Sequence, residues 1–159
     1  MEPRMLQQSP SLWFEDFAVG DAVESLGRTV TEADVVNFAA LSGDWNLIHT
    51  DAEYAREQMY GQRVVHGLLV LSISSGQMVR LGFLNDTTIA FMGLDWQFRR
   101  PVFINDTIRT RLTVSELRAM KRLDGGKITF KVEVINQEGK QCQRGSWELL
   151  CKSREAQAD

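Results

Sequence analysis

Asp44 and His49 lie five residues apart in the run FAALSGDWNLIHTDAEYA, which spans residues 38–55. A carboxylate and an imidazole in one short connection can share a water and move protons in both directions. Asp44 follows Gly43, just past the expected end of a helix, where the partial negative charge of the helix end should raise the carboxyl pKa. His49 is expected just before a second helix, whose positive end should favour neutral imidazole. A neutral base beside a carboxyl group able to carry a proton suits acid/base work. A third element follows at VVHG, residues 64–67. Gly67 opens an apolar segment, and the first four N–H groups of a helix lack internal partners. A glycine there admits a ligand carbonyl, so the helix start could stabilise an enolate or oxyanion. Together these residues suggest proton transfer alpha to a carbonyl, or addition of water to a conjugated double bond. Each has a plainer reading: Asp44 as a turn residue, His49 as a packed one, His66 as part of the helix start.

The elements that must position these groups can be read from periodicity. Thr31 and Asp34 form a capping box opening a helix of about three turns that stops at Gly43. Thr50 and Glu53 predict a second box and a short helix. HGLLVLSISSGQMVRLG, from His66 to about Gly82, is apolar on nearly every side in its first turns, as expected of a buried helix. Its Ser72, Ser74, Ser75 and Gly76 would let other backbone approach. The second half alternates instead: Thr87–Arg99, Thr107–Leu117, Lys127–Asn136 and Gln141–Cys151 predict strands, with an earlier one over Ala22–Val30. Asp124-Gly125-Gly126 and Glu138-Gly139-Lys140 are turn signals. One buried helix and about five mostly antiparallel strands make an α+β domain with a sheet curved around the helix.

Composition excludes much else. The 159 residues allow one domain, with 43% hydrophobic and 25% charged residues. A net charge of -3 opposes nucleic acid or an anionic membrane as partner. With two histidines and two cysteines, Cys142 and Cys151, a metal centre is not expected. The N-terminus lacks the organisation of a signal peptide and no run of eighteen apolar residues occurs, so a cytoplasmic protein with reduced thiols is expected.

The combination of motifs resembles the MaoC-like dehydratases, which include the (R)-specific enoyl-CoA hydratases. Their signature is roughly aromatic-A-x-(L/I)-(S/T)-G-D-x-N-P-(L/I/V)-H, and Gly43, Asp44, Asn46, Ile48, His49 and Ala55 match it. VVHGLLVLSISSG is similar to the start of the family's central helix. WQFRRPVFIND is similar to its later strand segment. The resemblance covers most of residues 15–118, and it implies a hotdog fold in 12–151 between flexible ends at 1–11 and 152–159. It implies a homodimer or higher homo-oligomer acting on acyl-CoA, with no cofactor besides the coenzyme A thioester of the substrate. By position, Asp44 and His49 would be the catalytic pair, Gly67 the thioester-carbonyl donor, Asn46 a loop-holding amide, and Ser75 a residue near the site. Two positions depart from the pattern: Leu47 stands for proline and Asn105 for glycine. The implied reaction is reversible hydration of a trans-2-enoyl-CoA to an (R)-3-hydroxyacyl-CoA. Branched or dicarboxylic acyl-CoA of the mesaconyl type is one alternative, and a non-catalytic acyl-CoA-binding protein another. Arg56, Arg63, Arg80, Arg99, Arg100, Lys121 and Arg122 are candidate contacts for the nucleotide phosphates.

Overall fold

The computed structural model describes residues 10–155. Helix α1, Glu32–Ser42, begins where the sequence predicts. Thr31 Oγ1 accepts from the Asp34 N–H (3.3 Å), while the Asp34 carboxylate accepts from the Thr31 N–H (2.8 Å). Gly43 ends it at φ 78°, a left-handed conformation that costs glycine little. Two short helices follow, α2 over Leu47–Thr50 and α3 over Ala52–Arg56. The expected Thr50–Glu53 box is not formed. Asp51 caps α3 instead, accepting from the Tyr54 N–H at 2.9 Å. His49 therefore sits inside α2 rather than ahead of a helix. Asp51 competes successfully because its carboxylate is a stronger acceptor than the Thr50 hydroxyl, which is turned back to the Trp45 and Asn46 carbonyls.

Helix α4, Gly67–Val79, buries Leu69, Val70, Ile73, Ser74, Gln77 and Met78. It packs on the inward face of an antiparallel sheet. The strands are β1 (Ala22–Glu24), β2 (Arg28–Thr29), β3 (Thr88–Phe98), β4 (Thr107–Met120), β5 (Gly125–Ile135) and β6 (Gln141–Lys152). Their order is β1-β4-β5-β6-β3, with β2 also on β4. The inward face follows period two: Ile108, Thr110, Leu112 and Val114 on β4 are buried, as are Ile128, Phe130, Val132 and Val134 on β5. One end of α4 meets Val30, Val35, Val102, Ile108 and Val134. At the other, Met78 meets Phe130, Trp147 and Leu149.

Several boundaries differ from expectation. Six strands replace about five, because the Ala22–Val30 segment is split. Ser25 turns both its N–H and its hydroxyl to the Thr110 backbone (2.9 and 3.0 Å), and Leu26 is thrown outward, 88% exposed. Gly125 and Gly126 lie in β5 rather than in a turn. A Cβ on Gly126 would strike the Phe14 ring, and the connection is made instead by Lys121–Leu123 and a left-handed Asp124. The sheet continues through Lys152, and the Ser153 hydroxyl bonds Glu15 while Arg154 pairs with Asp16 at 2.7 Å. That ordered end replaces solvated chain at 152–154. The expected flexible segments otherwise fall largely outside the described residues. Of the small residues of α4, Ser72 and Ser74 bond their own helix, and a Cβ on Gly76 would meet nothing within 4 Å. The loop at Gly139 (φ 74°) forms as expected, and Asn105 is left-handed (φ 76°) where the family pattern has glycine. No helix among the described residues is long and apolar enough to cross a membrane.

Candidate active site

The loop after α1 is held by its own polar side chains. The Ser42 hydroxyl donates to the Phe38 carbonyl (2.7 Å) and accepts from the Asp44 N–H (3.2 Å). The Asp44 carboxylate accepts from the Asn46 N–H (3.3 Å). Asn46 caps α2, its side-chain oxygen taking the Ile48 N–H at 3.2 Å. Leu47 is the first residue of α2, the position at which proline is tolerated because its N–H would have no helical partner. Replacing proline there leaves the helix start intact.

His49 projects from α2 into the interior and is 8% exposed. Its Nδ1 lies 2.7 Å from the Val64 carbonyl. A carbonyl only accepts, so Nδ1 carries the proton and Nε2 is a bare lone pair. Burial pushes this imidazole below its ordinary pKa of 6.5; the Val64 carbonyl opposes the shift, His66 adds to it and Asp44 opposes it. The neutral form expected from sequence is thus favoured, but by burial, since His49 does not precede a helix. His66 is 1% exposed, and its Nε2 lies 2.9 Å from the Asp44 carbonyl oxygen. By the same reasoning Nε2 is the donor, and Nδ1 is buried without a partner. The two imidazoles stack, centroids 3.9 Å apart at 29°.

One polar atom each of Asp44, His49 and His66 falls within a 4.8 Å cluster. Such a trio could be read as metal ligands. The two rings stack, and His66 Nε2 is engaged with the Asp44 carbonyl. The arrangement suits proton transfer.

Gly67 begins α4 beside this cluster. His49, Gly67, Tyr60, Phe98, Arg99 and Gln143 are among the residues around a cavity of about 380 Å³. The space that a side chain at Gly67 would need is taken by the Phe98 ring, 2.7 Å from where a Cβ would sit. Gln143 on β6, 2% exposed, was not found from sequence. Its Nε2 donates to the Gly67 carbonyl (3.0 Å), and its Oε1 accepts from Trp96 Nε1 (2.9 Å). The only available signal was an amide at an inward strand position. Asp44 clusters with His49 and His66 but is exposed and does not line the cavity; Asn46 donates its N–H to the Asp44 carboxylate, and Gly67 shares the cavity with His49, whereas Ser75 does not join them. It lies two turns along α4, about 12 Å along the axis, in a separate recess with Leu71, Phe91, Leu94 and Trp147. The basic candidates also separate. Arg99 and Arg100 border the His49 cavity, Arg63 is paired with Glu32 and Arg56 with Glu53. Lys121 and Arg122 lie in the β4–β5 connection, and Arg80 borders a larger cavity of about 740 Å³ that contains none of the clustered residues.

Comparison with known proteins places this geometry in context. The family model described as MaoC like domain matches residues 16–138. Protein MaoC of Klebsiella aerogenes is 43% identical over 102 residues, 64% of this chain but only 30% of that protein. The (R)-specific enoyl-CoA hydratase of Aeromonas caviae is 32% identical over 114 residues, 72% of this chain and 81% of the enzyme. Among solved structures, a monoamine oxidase regulatory protein from Archaeoglobus fulgius superposes with a TM-score of 0.87 at 35% identity, covering 93% of this chain and 99% of that one. A double-hotdog protein of Mycobacterium tuberculosis matches at a TM-score of 0.80 and 17% identity, over 90% of this chain and 44% of that one. The sheet and central helix described above are a hotdog fold.

Proposed function

Since the chain belongs to the MaoC-like domain family, whose members include hydratases and dehydratases, we propose that it catalyses reversible hydration of trans-2-enoyl-CoA to (R)-3-hydroxyacyl-CoA. The observation that carries this reading is the bare Nε2 of His49, left free by the bond from Nδ1 to Val64, beside Asp44 and a helix start. A water held between Asp44 and His49 adds its oxygen to C3. The proton it loses passes through the pair to C2 on the same face, with Asp44 as the relay. As negative charge moves onto the thioester oxygen, the unpartnered N–H of Gly67 stabilises it. Gln143 holds the Gly67 carbonyl, one peptide beyond that N–H. Arg99 and Arg100 line the same cavity and in this reading meet the phosphates of coenzyme A.

The working unit in this reading is a homodimer. Strand β3 lies at the sheet edge and presents Ile89, Phe91, Met92, Leu94 and Phe98, all more than 40% exposed. An edge strand with a long apolar face is normally covered. No cofactor enters the reaction.

The test is loss of the conjugated-thioester absorbance with a panel of trans-2-enoyl-CoAs, including branched and dicarboxylic ones. Asp44→Asn and His49→Gln should each lose at least about 100-fold in turnover while remaining folded. Unchanged rates in both would sink the assignment. Binding of the thioester without turnover in the wild type would favour a carrier role instead.

A further inference from the structure

His66 does more than begin a helix. Its side chain makes no cap to α4, and it is 1% exposed with Nδ1 lacking any partner. An apolar ring would fill the same space against Phe38 (5.0 Å) and His49 (3.9 Å) without stranding a polar atom. What an apolar ring could not do is donate to the Asp44 carbonyl, 22 residues away in sequence. The other hydrogen bonds of Asp44 are local, to Ser42 and Asn46. The His66 contact therefore ties the Asp44 loop to the body of the fold. The face of the same ring supports the His49 imidazole, whose edge is fixed by Val64.

We propose that His66 is a positioning residue: by donating from Nε2 it fixes the Asp44 backbone, and so the spacing of Asp44 from His49. This rests on the hydration reading, in which Asp44 and His49 are where the chemistry occurs. Because Gly67 is the next residue, the same side chain also couples the pair to the helix start.

Two amide substitutions separate the hydrogen bond from simple filling of space. Glutamine places its N–H where histidine has Nε2, whereas asparagine places its amide nearer Nδ1 and falls short of the Asp44 carbonyl. His66→Gln should keep turnover within roughly threefold of wild type, and His66→Asn should lose on the order of 10- to 100-fold in kcat with little change in KM. Equal losses in the two folded variants would overturn the proposal. Two further measurements do not depend on activity. The chain has two histidines, so the long-range 1H–15N spectrum contains two imidazoles, assigned with His49→Gln. The wild type should show His66 as the Nε2–H tautomer and His49 as the Nδ1–H tautomer; a His66 Nδ1–H tautomer would overturn the proposal. Amide exchange at residues 43–46 should accelerate in His66→Asn and not in His66→Gln, and exchange unchanged in both would also overturn it. An inactive wild type that passes both measurements would refute the hydration reading while supporting the His66 contact.

Discussion

Replacing Gln143 by leucine tests whether the buried amide braces the helix start. The side chain is 2% exposed and makes two hydrogen bonds, to the Gly67 carbonyl at 3.0 Å and from Trp96 Nε1 at 2.9 Å. Leucine is of similar size, so packing changes little and the polar groups dominate. The Trp96 N–H loses its acceptor inside the fold, costing about 1–3 kcal/mol. The Gly67 carbonyl can still accept within the first turn of α4, so its loss is nearer to ~1 kcal/mol. The total is about 2–4 kcal/mol, or a fall in Tm of roughly 4–16 °C for a chain of this size. Urea unfolding followed by far-UV circular dichroism, at one protein concentration, measures it. The decisive arm is a double-mutant cycle with Trp96→Phe, which removes the donor. In that background Gln143→Leu should cost about 1–3 kcal/mol less than in the wild type. Strict additivity, within ~0.5 kcal/mol, would refute the reasoning, because Trp96 would then not depend on Gln143. Turnover should fall as well, since the Gly67 peptide loses its tether to β6.

Four other outcomes are expected. Burial depresses the His49 pKa below 6.5, so the acid limb of kcat/KM, read from initial rates across pH, should fall below pH 6.5. The sign for stability follows from the same shift: the unfolded chain takes up its proton near 6.5 and the folded one at lower pH, so this group's contribution is complete above 6.5 and is lost as pH falls through the folded value. Gly145→Ala should cost about 3 kcal/mol or more and lower the soluble yield and melting temperature, because its Cβ would overlap the Asp95 carbonyl of the paired strand β3. Phe91→Glu combined with Leu94→Lys, on the exposed apolar face of β3, should shift the protein to monomer in size-exclusion chromatography with light scattering. Arg99→Ala should raise KM for a coenzyme A thioester roughly fivefold, about 1 kcal/mol for an exposed ion pair, and leave KM for a thioester lacking the nucleotide unchanged.

Local features of this chain were legible because they are made between near neighbours. Thr31 and Asp34 cap α1, Gly43 turns the chain left-handed, and β4 and β5 alternate because their side chains must point to opposite faces. The five-residue spacing of Asp44 and His49 was likewise visible, since one loop carries both. Even there a near competitor changed the outcome: Asp51, adjacent to Thr50, took the cap of α3 and moved His49 inside a helix. The two departures from the family pattern, Leu47 and Asn105, are absorbed by backbone positions that tolerate them.

What the tertiary structure alone decided is which atoms of those residues are free to react. His49 owes its bare Nε2 to a carbonyl 15 residues away, Asp44 is tethered by an imidazole 22 residues away, and Gly67 is held by an amide 76 residues away. No periodicity or propensity encodes these contacts, because each depends on how separate elements pack. The same holds for the place of β3 in the sheet, since the sequence predicts a strand over Thr87–Arg99 but not its neighbours. Position at the sheet edge leaves the apolar face of β3 exposed. Sequence thus determined the residue types and the local geometry of a candidate acid/base pair; packing determined its tautomer, its depressed basicity and its support.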